Sequence, residues 1–123
     1  MKILLDTNFV LTCAKQKIDF PSVANEIIDQ KIEWLIPQDV LNEIGNLKKI
    51  PKQKQAAELS FQILQSLNPK IIELKGKNPN VDIKIVNYIT DKNIVLATLD
   101  KNLKSRVKNK ILTTRGKNNL ELI

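Results

Sequence analysis

Short apolar runs that alternate with helical patterns are the feature that most constrains how this chain can fold. Continuous apolar runs are typical of strands covered on both faces, and they lie at residues 2–5, 32–36, 70–74 and 93–98, with a weaker pair, "ILTT" and "LELI", near the end. Helical patterns lie between them, at residues 20–30, 38–49, 53–67 and 82–91. Such alternation predicts an α/β fold with a mostly parallel sheet.

The length and composition favour one domain spanning residues 1–123. Hydrophobic residues make up 42% of the chain and aromatic residues only 4%, which indicates a core built mainly from Ile, Leu and Val. No apolar run approaches the roughly 20 residues needed to cross a bilayer, and the first residues lack the cleavage region of a signal peptide. We therefore expect a cytoplasmic protein with no membrane partner.

The chain contains no histidine, and this excludes several kinds of chemistry. Triads of Ser, His and Asp, Cys–His nucleophiles and two-histidine ribonucleases are all ruled out. The single cysteine, Cys13, cannot form an internal disulfide, and the usual zinc sites are absent. An enzyme made from this chain has to rely on carboxylates, lysines or a metal held by carboxylates.

The formal net charge of +7 favours an anionic partner such as a nucleic acid. Lys, Asn and Ile are all abundant, however, so a general compositional bias is an alternative source of the excess. Charge alone does not decide between these two interpretations.

Two aspartates lie at the ends of apolar runs. Asp6 follows the first run and Asp100 follows the run at residues 93–98. Because the chemistry of parallel sheets gathers outside the carboxyl ends of the strands, the two acids converge if their strands are neighbours. The alternative is that each aspartate caps the helix that follows it, since Asp is a favoured N-cap residue.

Two further acids share the apolar face of a helical pattern. Glu43 lies among Val40, Ile44 and Leu47, and Asp82 precedes the stripe that begins at Ile85. Both are predicted to point inward. The alternatives are a surface position at the edge of the stripe for Glu43 and a favourable charge in the first helical turn for Asp82.

Four carboxylates in such positions would repel one another unless a cation offset the repulsion. Hard oxygen ligands that leave room for water suit Mg²⁺ or Mn²⁺. Ions of this kind activate water and stabilise phosphoryl displacement, so the pattern predicts a nuclease site that needs no histidine.

At this point the residues resemble the PIN domain family of small metal-dependent ribonucleases. The matching pieces are "ILLDTN" at the start, "IPQDVLNEI" in the second strand and helix, and "VDIKIVNYITDKNIVLATLDKNLKSR" near the end. Each piece alone is weak, but their order and the spacing of Asp82 and Asp100 are fairly specific. The similarity covers nearly the whole chain.

The resemblance implies a three-layer fold, with a central, mostly parallel five-stranded sheet and helices on both faces. It implies that Asp6, Glu43, Asp82 and Asp100 form the catalytic and metal-binding quartet, with Mg²⁺ or Mn²⁺ as cofactor. It assigns supporting roles to Thr7, Asn8 and Thr98. The implied activity is endonucleolytic cleavage of RNA that leaves 5′-phosphate and 3′-hydroxyl ends.

The sequence departs from the family pattern after "TLD". Many members carry another acid there, and this chain has Lys101 and Asn102. A site short of acid is poorly suited to assemble two ions, so a non-catalytic module that binds RNA or protein is an alternative function. The number of metal ions stays open at this stage.

The C-terminal segment resembles the branch of the family that processes ribosomal RNA more than it resembles the toxins of toxin–antitoxin pairs. RNA is therefore the expected partner, an antitoxin is not favoured, and a homodimer is left open. The residues proposed to bind RNA form a basic stretch after Asp100, in which a helix over residues 102–108 would point Lys101, Lys104 and Lys108 outward. The full set is Lys101, Lys104, Arg106, Lys108, Lys110, Arg115 and Lys117. The alternative is a solvated charged helix with no ligand.

Overall fold

The computed structural model describes residues 1–123 and contains one mixed sheet with helices on both sides. The strands are β1 (Lys2–Leu5), β2 (Glu33–Pro37), β3 (Lys70–Ile72), β4 (Ile94–Ala97), β5 (Ile111–Arg115) and β6 (Asn119–Leu122). The helices are α1 (Thr7–Gln16), α2 (Phe20–Ile27), α3 (Gln38–Leu47), α4 (Pro51–Leu67), α5 (Val81–Ile89) and α6 (Lys101–Ser105). The predicted α/β architecture is confirmed.

The sheet has the strand order β3-β2-β1-β4-β5-β6. All neighbouring strands are parallel except β5 and β6, which pair antiparallel. The sheet thus has six strands rather than the five that the family resemblance implies. The sixth arises because the chain reverses at Gly116, whose φ of 65° suits a glycine in a tight turn, and returns along β5.

Side chains alternate between the two faces of the sheet and build two separate cores. Ile3 and Leu5 of β1 face the larger core, which α1, α2, α3 and α4 cover, while Leu4 faces the smaller core beneath α5 and α6. This alternation is the ordinary geometry of a strand. Glu43 therefore belongs to a helix on one face, and Asp82 to a helix on the other.

Helix boundaries differ from the predicted ranges by a few residues. The predicted helix at residues 53–67 begins at Pro51, which suits the first turn of a helix. The predicted helix at residues 102–108 instead spans Lys101–Ser105, so Lys108 lies outside it. None of the helices combines the length and the apolar character needed to cross a membrane.

Because β1, β2, β4 and β5 run in the same direction, the sheet has two chemically distinct edges. The carboxyl edge is where these strands end, at Leu5, Pro37, Ala97 and Arg115. The amino edge is where they begin, at Lys2, Glu33, Ile94 and Ile111. Asp6 and Asp100 follow strands that are direct neighbours, so both lie at the carboxyl edge, as predicted from their positions in the sequence.

Candidate active site

Asp6 lies at the end of the central strand and is only 4% exposed. Its Oδ1 accepts a hydrogen bond from the Thr7 backbone N–H at 2.9 Å, and its Oδ2 accepts one from the Thr98 hydroxyl at 2.8 Å. Asp6 is therefore the N-cap of α1, as the capping alternative holds. The cap uses only Oδ1, and it leaves the carboxylate beside the other predicted site residues.

The electrostatic surroundings of Asp6 disfavour its charged form. Burial raises the pKa of Asp6 from 3.8 to about 6, and repulsion from Asp82 and Glu43 adds to the rise. The hydrogen bonds from Thr98 and Thr7 oppose it but do not cancel it. A perturbation of this kind is common at functional sites.

Thr98 and Asn8 connect the ends of β1 and β4. The single hydroxyl proton of Thr98 goes to Asp6, because the contact with Asn8 Oδ1 is longer, at 3.3 Å. The same hydroxyl oxygen accepts the backbone N–H of Asp100 at 3.2 Å, while Asn8 Oδ1 accepts that of Leu99 at 3.2 Å. These contacts fix the orientation of Asp6 and place the start of α6 beside it.

Asp100 is half-buried and caps α6. Its Oδ1 accepts the backbone N–H groups of Asn102 at 2.9 Å and Leu103 at 3.2 Å. Its Oδ2 accepts no hydrogen bond from the protein. As with Asp6, the capping alternative is correct in its geometry, and here it leaves Oδ2 without a hydrogen bond.

Glu43 and Asp82 approach the same edge from opposite faces of the sheet. Both are half-buried, and neither forms an ion pair. Burial raises the pKa of Glu43, with repulsion from Asp82 and Asp39 adding to it. Burial also raises the pKa of Asp82, where repulsion from Asp100 adds and attraction to Arg106 opposes.

The four carboxylates therefore lie close enough to affect one another. The pairs that repel are Asp6 with Asp82, Asp6 with Glu43, Glu43 with Asp82, and Asp82 with Asp100. No three acidic side chains converge tightly enough to enclose one ion directly. Mg²⁺, however, usually keeps several waters and binds through one or two carboxylates, so a hydrated ion fits this arrangement.

Thr7 is a second indication that the site suits a polar ligand. Its hydroxyl is buried and lies near enough to Glu43 to oppose the rise in the pKa of that carboxyl, yet its geometry falls short of a hydrogen bond. A buried hydroxyl without a partner is uncommon and costs free energy. An ion or its water at this position would satisfy it.

The predicted RNA-binding residues do not form one surface. Arg106 is exposed and close enough to Asp82 to attract it. Lys104 is half-buried and donates its Nζ to Thr113 Oγ1 at 3.1 Å, so the prediction that it points outward is wrong. The short helix leaves the chain room to contact β5 with this side chain.

The remaining basic residues divide between the two edges of the sheet. Lys101, Arg115 and Lys117 are exposed at or next to the carboxyl edge. Lys108 and Lys110 precede β5 and are exposed at the amino edge, on the far side from the acids. The predicted continuous basic surface is therefore wrong for these two lysines, because α6 ends early and the chain crosses to the amino edge before β5 begins.

One pair near the site was not anticipated from the sequence. Lys84 of α5 forms a hydrogen-bonded ion pair with Asp39 of α3. The residues are far apart in the sequence, and only the strand order brings their helices together. No local pattern in either helix signals the pairing.

The fold and the site together define the class of protein: a mostly parallel α/β domain with interacting carboxylates at the carboxyl edge of its sheet. The family model described as a PIN-like domain matches residues 3–117, and the chain belongs to that family. This confirms the family to which the sequence motifs pointed. No curated protein sequence matches the chain significantly.

Solved structures share the fold. The PIN domain endonuclease Utp24 superposes with a TM-score of 0.82 at 23% identity, covering 98% of this chain and 90% of that one. The structure of VapBC2 from Rickettsia felis bound to a DNA fragment from its promoter gives a TM-score of 0.68 at 17% identity. The match covers 94% of this chain and 100% of that one. A domain of a functionally unknown protein from Methanocaldococcus jannaschii gives 0.56 at 15% identity, with 99% and 97% covered.

Proposed function

We propose that this protein is a Mg²⁺- or Mn²⁺-dependent endoribonuclease, with residues 1–123 acting as one PIN-like domain. The observation that carries the proposal is the cluster of Asp6, Glu43, Asp82 and Asp100 at the carboxyl edge. These acids come from two strand ends and from helices on both faces, and three of them have a raised pKa. Such a cluster is costly for stability and is therefore best explained by function.

The donor set suits a hard divalent cation. Asp6, Asp82 and Asp100 would hold a hydrated ion, one or two of them directly and the rest through its waters, and Glu43 would contact the same waters. The buried Thr7 hydroxyl would gain a partner. When bound, the ion would activate water and stabilise the negative charge that develops on the phosphate. Thr98 and Asn8 would keep the carboxylate of Asp6 and the start of α6 in register.

Both carboxylate oxygens of Asp6 already accept hydrogen bonds, so we propose Glu43 as the proton acceptor. It is half-buried and its pKa is raised, which makes its carboxylate a better base than an exposed glutamate. In the proposed reaction the oxygen of water attacks phosphorus, the bond to O3′ breaks, and Glu43 takes the proton of the water. The leaving O3′ is protonated by solvent, which leaves a 5′-phosphate and a 3′-hydroxyl.

RNA is the substrate class we favour, and ribosomal RNA is the first candidate within it. The net charge of +7 and the exposed Lys101, Arg106, Arg115 and Lys117 support an anionic substrate near the acids. The motif resemblance to the ribosomal-RNA-processing branch supports the finer assignment, and the structural likeness to an endonuclease, Utp24, supports nuclease activity in general. A cytoplasmic location and independence from an antitoxin are parts of the same proposal.

A second candidate is a module that binds RNA or protein without cleaving it. Asp100 favours this alternative, since its Oδ1 is occupied by the cap of α6 and Lys101 and Asn102 follow it where another acid is usual. A toxin paired with an antitoxin is a further alternative, and the likeness to VapBC2 is the reason to test it. Co-purification with a small partner would support that version.

The deciding experiment is cleavage of a structured RNA with Mg²⁺ or Mn²⁺. We expect wild type to cleave and Asp6→Asn to lose at least about 100-fold in rate, because the substitution removes a charge that holds the ion. Asp29→Asn is the matched control, since Asp29 is exposed and distant from the edge. Equal activity of wild type and Asp6→Asn would overturn the enzyme proposal, and binding without cleavage would favour the module.

A further inference from the structure

We infer that Lys84 and Asp39 form a positioning pair that holds the helix of Glu43 and the helix of Asp82 in register across the carboxyl edge. The inference rests on the proposed function, because the register matters only if both acids act at one site. Neither residue is a catalytic residue in this account. Their role is to position Glu43 and Asp82.

The pair is unusual in this molecule. The chain has 20 Lys and Arg and 13 Asp and Glu, yet this is the only ion pair in the structure. The side chains of Lys84 and Asp39 are only 14% and 25% exposed, so solvent screens the pair less than it would a surface contact. A single half-buried pair among so many charges points to a local requirement rather than to general charge pairing.

The two residues lie on the same helices as the acids. Asp39 lies one helical turn before Glu43 in α3, on the same face, and Lys84 lies two residues after Asp82 in α5, on a different face from that acid. The apolar side chains of α3 pack into the larger core, and those of α5 pack into the smaller core on the opposite face. The pair is thus a direct polar link between helices that belong to different cores.

Lys84 also neutralises a fifth carboxylate near the site, that of Asp39. Asp39 lies close enough to Glu43 for its charge to raise the pKa of that carboxyl. An unpaired Asp39 would be free to compete with the four site acids for a cation. Because Asp39 is paired with Lys84, it helps to position the two helices and does not act as a metal ligand.

The test compares variants with the same net charge. Asp39→Asn with Lys84→Met removes the pair, whereas Asp29→Asn with Lys49→Met removes one exposed acid and one exposed base that form no ion pair. Calorimetric titration should show Mn²⁺ affinity about tenfold weaker in the first double variant and within about twofold of wild type in the second. Lys84→Arg retains the charge and should keep affinity near that of wild type.

Amide hydrogen exchange provides a readout that does not depend on the metal. Without Mn²⁺, exchange in α3 and in the first turn of α5 should be faster when the pair is removed and unchanged in the control. If wild type binds no Mn²⁺, the proposed function fails and the exchange data alone judge the positioning role. Unchanged exchange in both helices would overturn the inference. Should the double variant unfold, Lys84→Gln alone is measured against the same criteria.

Discussion

The two edges of the sheet differ in how far the protein itself provides partners for the polar groups there. At the amino edge, the side-chain Nδ2 of Asn109 lies 3.1, 3.0 and 2.8 Å from the backbone carbonyl oxygens of Ile89, Lys92 and Ile94, so three acceptors share its two protons. This one side chain ties the end of α5, the following turn and β4 to the segment before β5. At the carboxyl edge, by contrast, neighbouring acids repel one another and Thr7 Oγ1 is buried without a partner.

The difference separates stability from chemistry within one sheet. Satisfied hydrogen bonds at the amino edge stabilise the connections between strands and helices. At the carboxyl edge, the repulsion between the acids is not compensated and a buried hydroxyl has no hydrogen-bond partner in the protein. Such an arrangement is typical of a ligand-binding site. Substitution of a polar side chain should therefore lower the stability at the amino edge and, in the absence of metal, raise it at the carboxyl edge.

Asn109→Ala should have the largest effect on stability. It removes the two amide protons that three backbone carbonyls share, and we expect a loss of up to about 3 kcal/mol in the free energy of unfolding. Denaturant titration measures the change. Asn118→Ala is the control, because Asn118 is exposed in the turn before β6, and equal effects of the two substitutions would contradict the stabilising role of the amino edge.

Divalent metal should stabilise the wild-type fold through the carboxyl edge. An ion that binds only the folded state adds about 2.7 kcal/mol when its concentration is 100 times its Kd. Thermal melts in chelator and in excess Mn²⁺ measure the difference. If the melting temperature does not rise, the four acids do not form a metal site.

Asp6→Asn should stabilise the protein in chelator by about 2 kcal/mol near pH 7.5, because the raised pKa costs wild type about 3 kcal/mol and Asn loses about 1 kcal/mol by keeping only one acceptor oxygen. Because the pKa of Asp6 is about 6 in the folded protein and 3.8 in the reference state, the folded state binds an extra proton between these values. The stability of wild type therefore falls as the pH rises through this interval, and the penalty is fully present above it. Asn carries no such penalty.

Melts at several pH values test this sign. The advantage of Asp6→Asn should shrink steadily from pH 7 to pH 4, and it should reverse in Mn²⁺, where wild type gains stability and the variant does not. A variant less stable than wild type in chelator at every pH would show that the hydrogen bond from Thr98 outweighs the cost of the buried charge.

The smallest expected effect concerns the basic residues at the two edges. Arg115→Ala with Lys117→Ala should weaken RNA binding and flatten its salt dependence by about 0.7 in log-log slope for each lost phosphate contact. Lys108→Ala with Lys110→Ala removes the same charge from the amino edge and should leave the slope nearly unchanged. Both double variants are made in the Asp6→Asn protein, so that the RNA is not cleaved while its binding is measured by filter binding. Equal slopes for the two double variants would contradict an RNA path along the carboxyl edge.

Much of the fold follows from local patterns in the chain. The first strand, Lys2–Leu5, and the inward faces of α3 and α5 could be predicted because apolar periodicity is local and the cores select for it. The closeness of Asp6 and Asp100 followed from a general property of parallel sheets. The motifs gave the family, which supplied the grouping of the four acids.

The errors concern features that depend on distant parts of the chain. The antiparallel pairing of β6 needs the turn at Gly116 to bring "LELI" back along β5. The early end of α6 follows from the contacts of Lys104 with Thr113 and of Asn109 with three carbonyls, none of which a helical periodicity shows. The pair of Lys84 and Asp39 depends on strand order alone.

The division of the site between two cores has a consequence for biosynthesis. A chain emerging from the ribosome presents Asp6 and Glu43 long before Asp82 and Asp100, and domains of this kind fold as units rather than residue by residue. The first two acids pack with the larger core, but their partners arrive with α5, β4 and α6 on the other face. In the proposed nuclease, the full set of acids would therefore form only after Asp100 has been translated, and incomplete chains would not cut RNA.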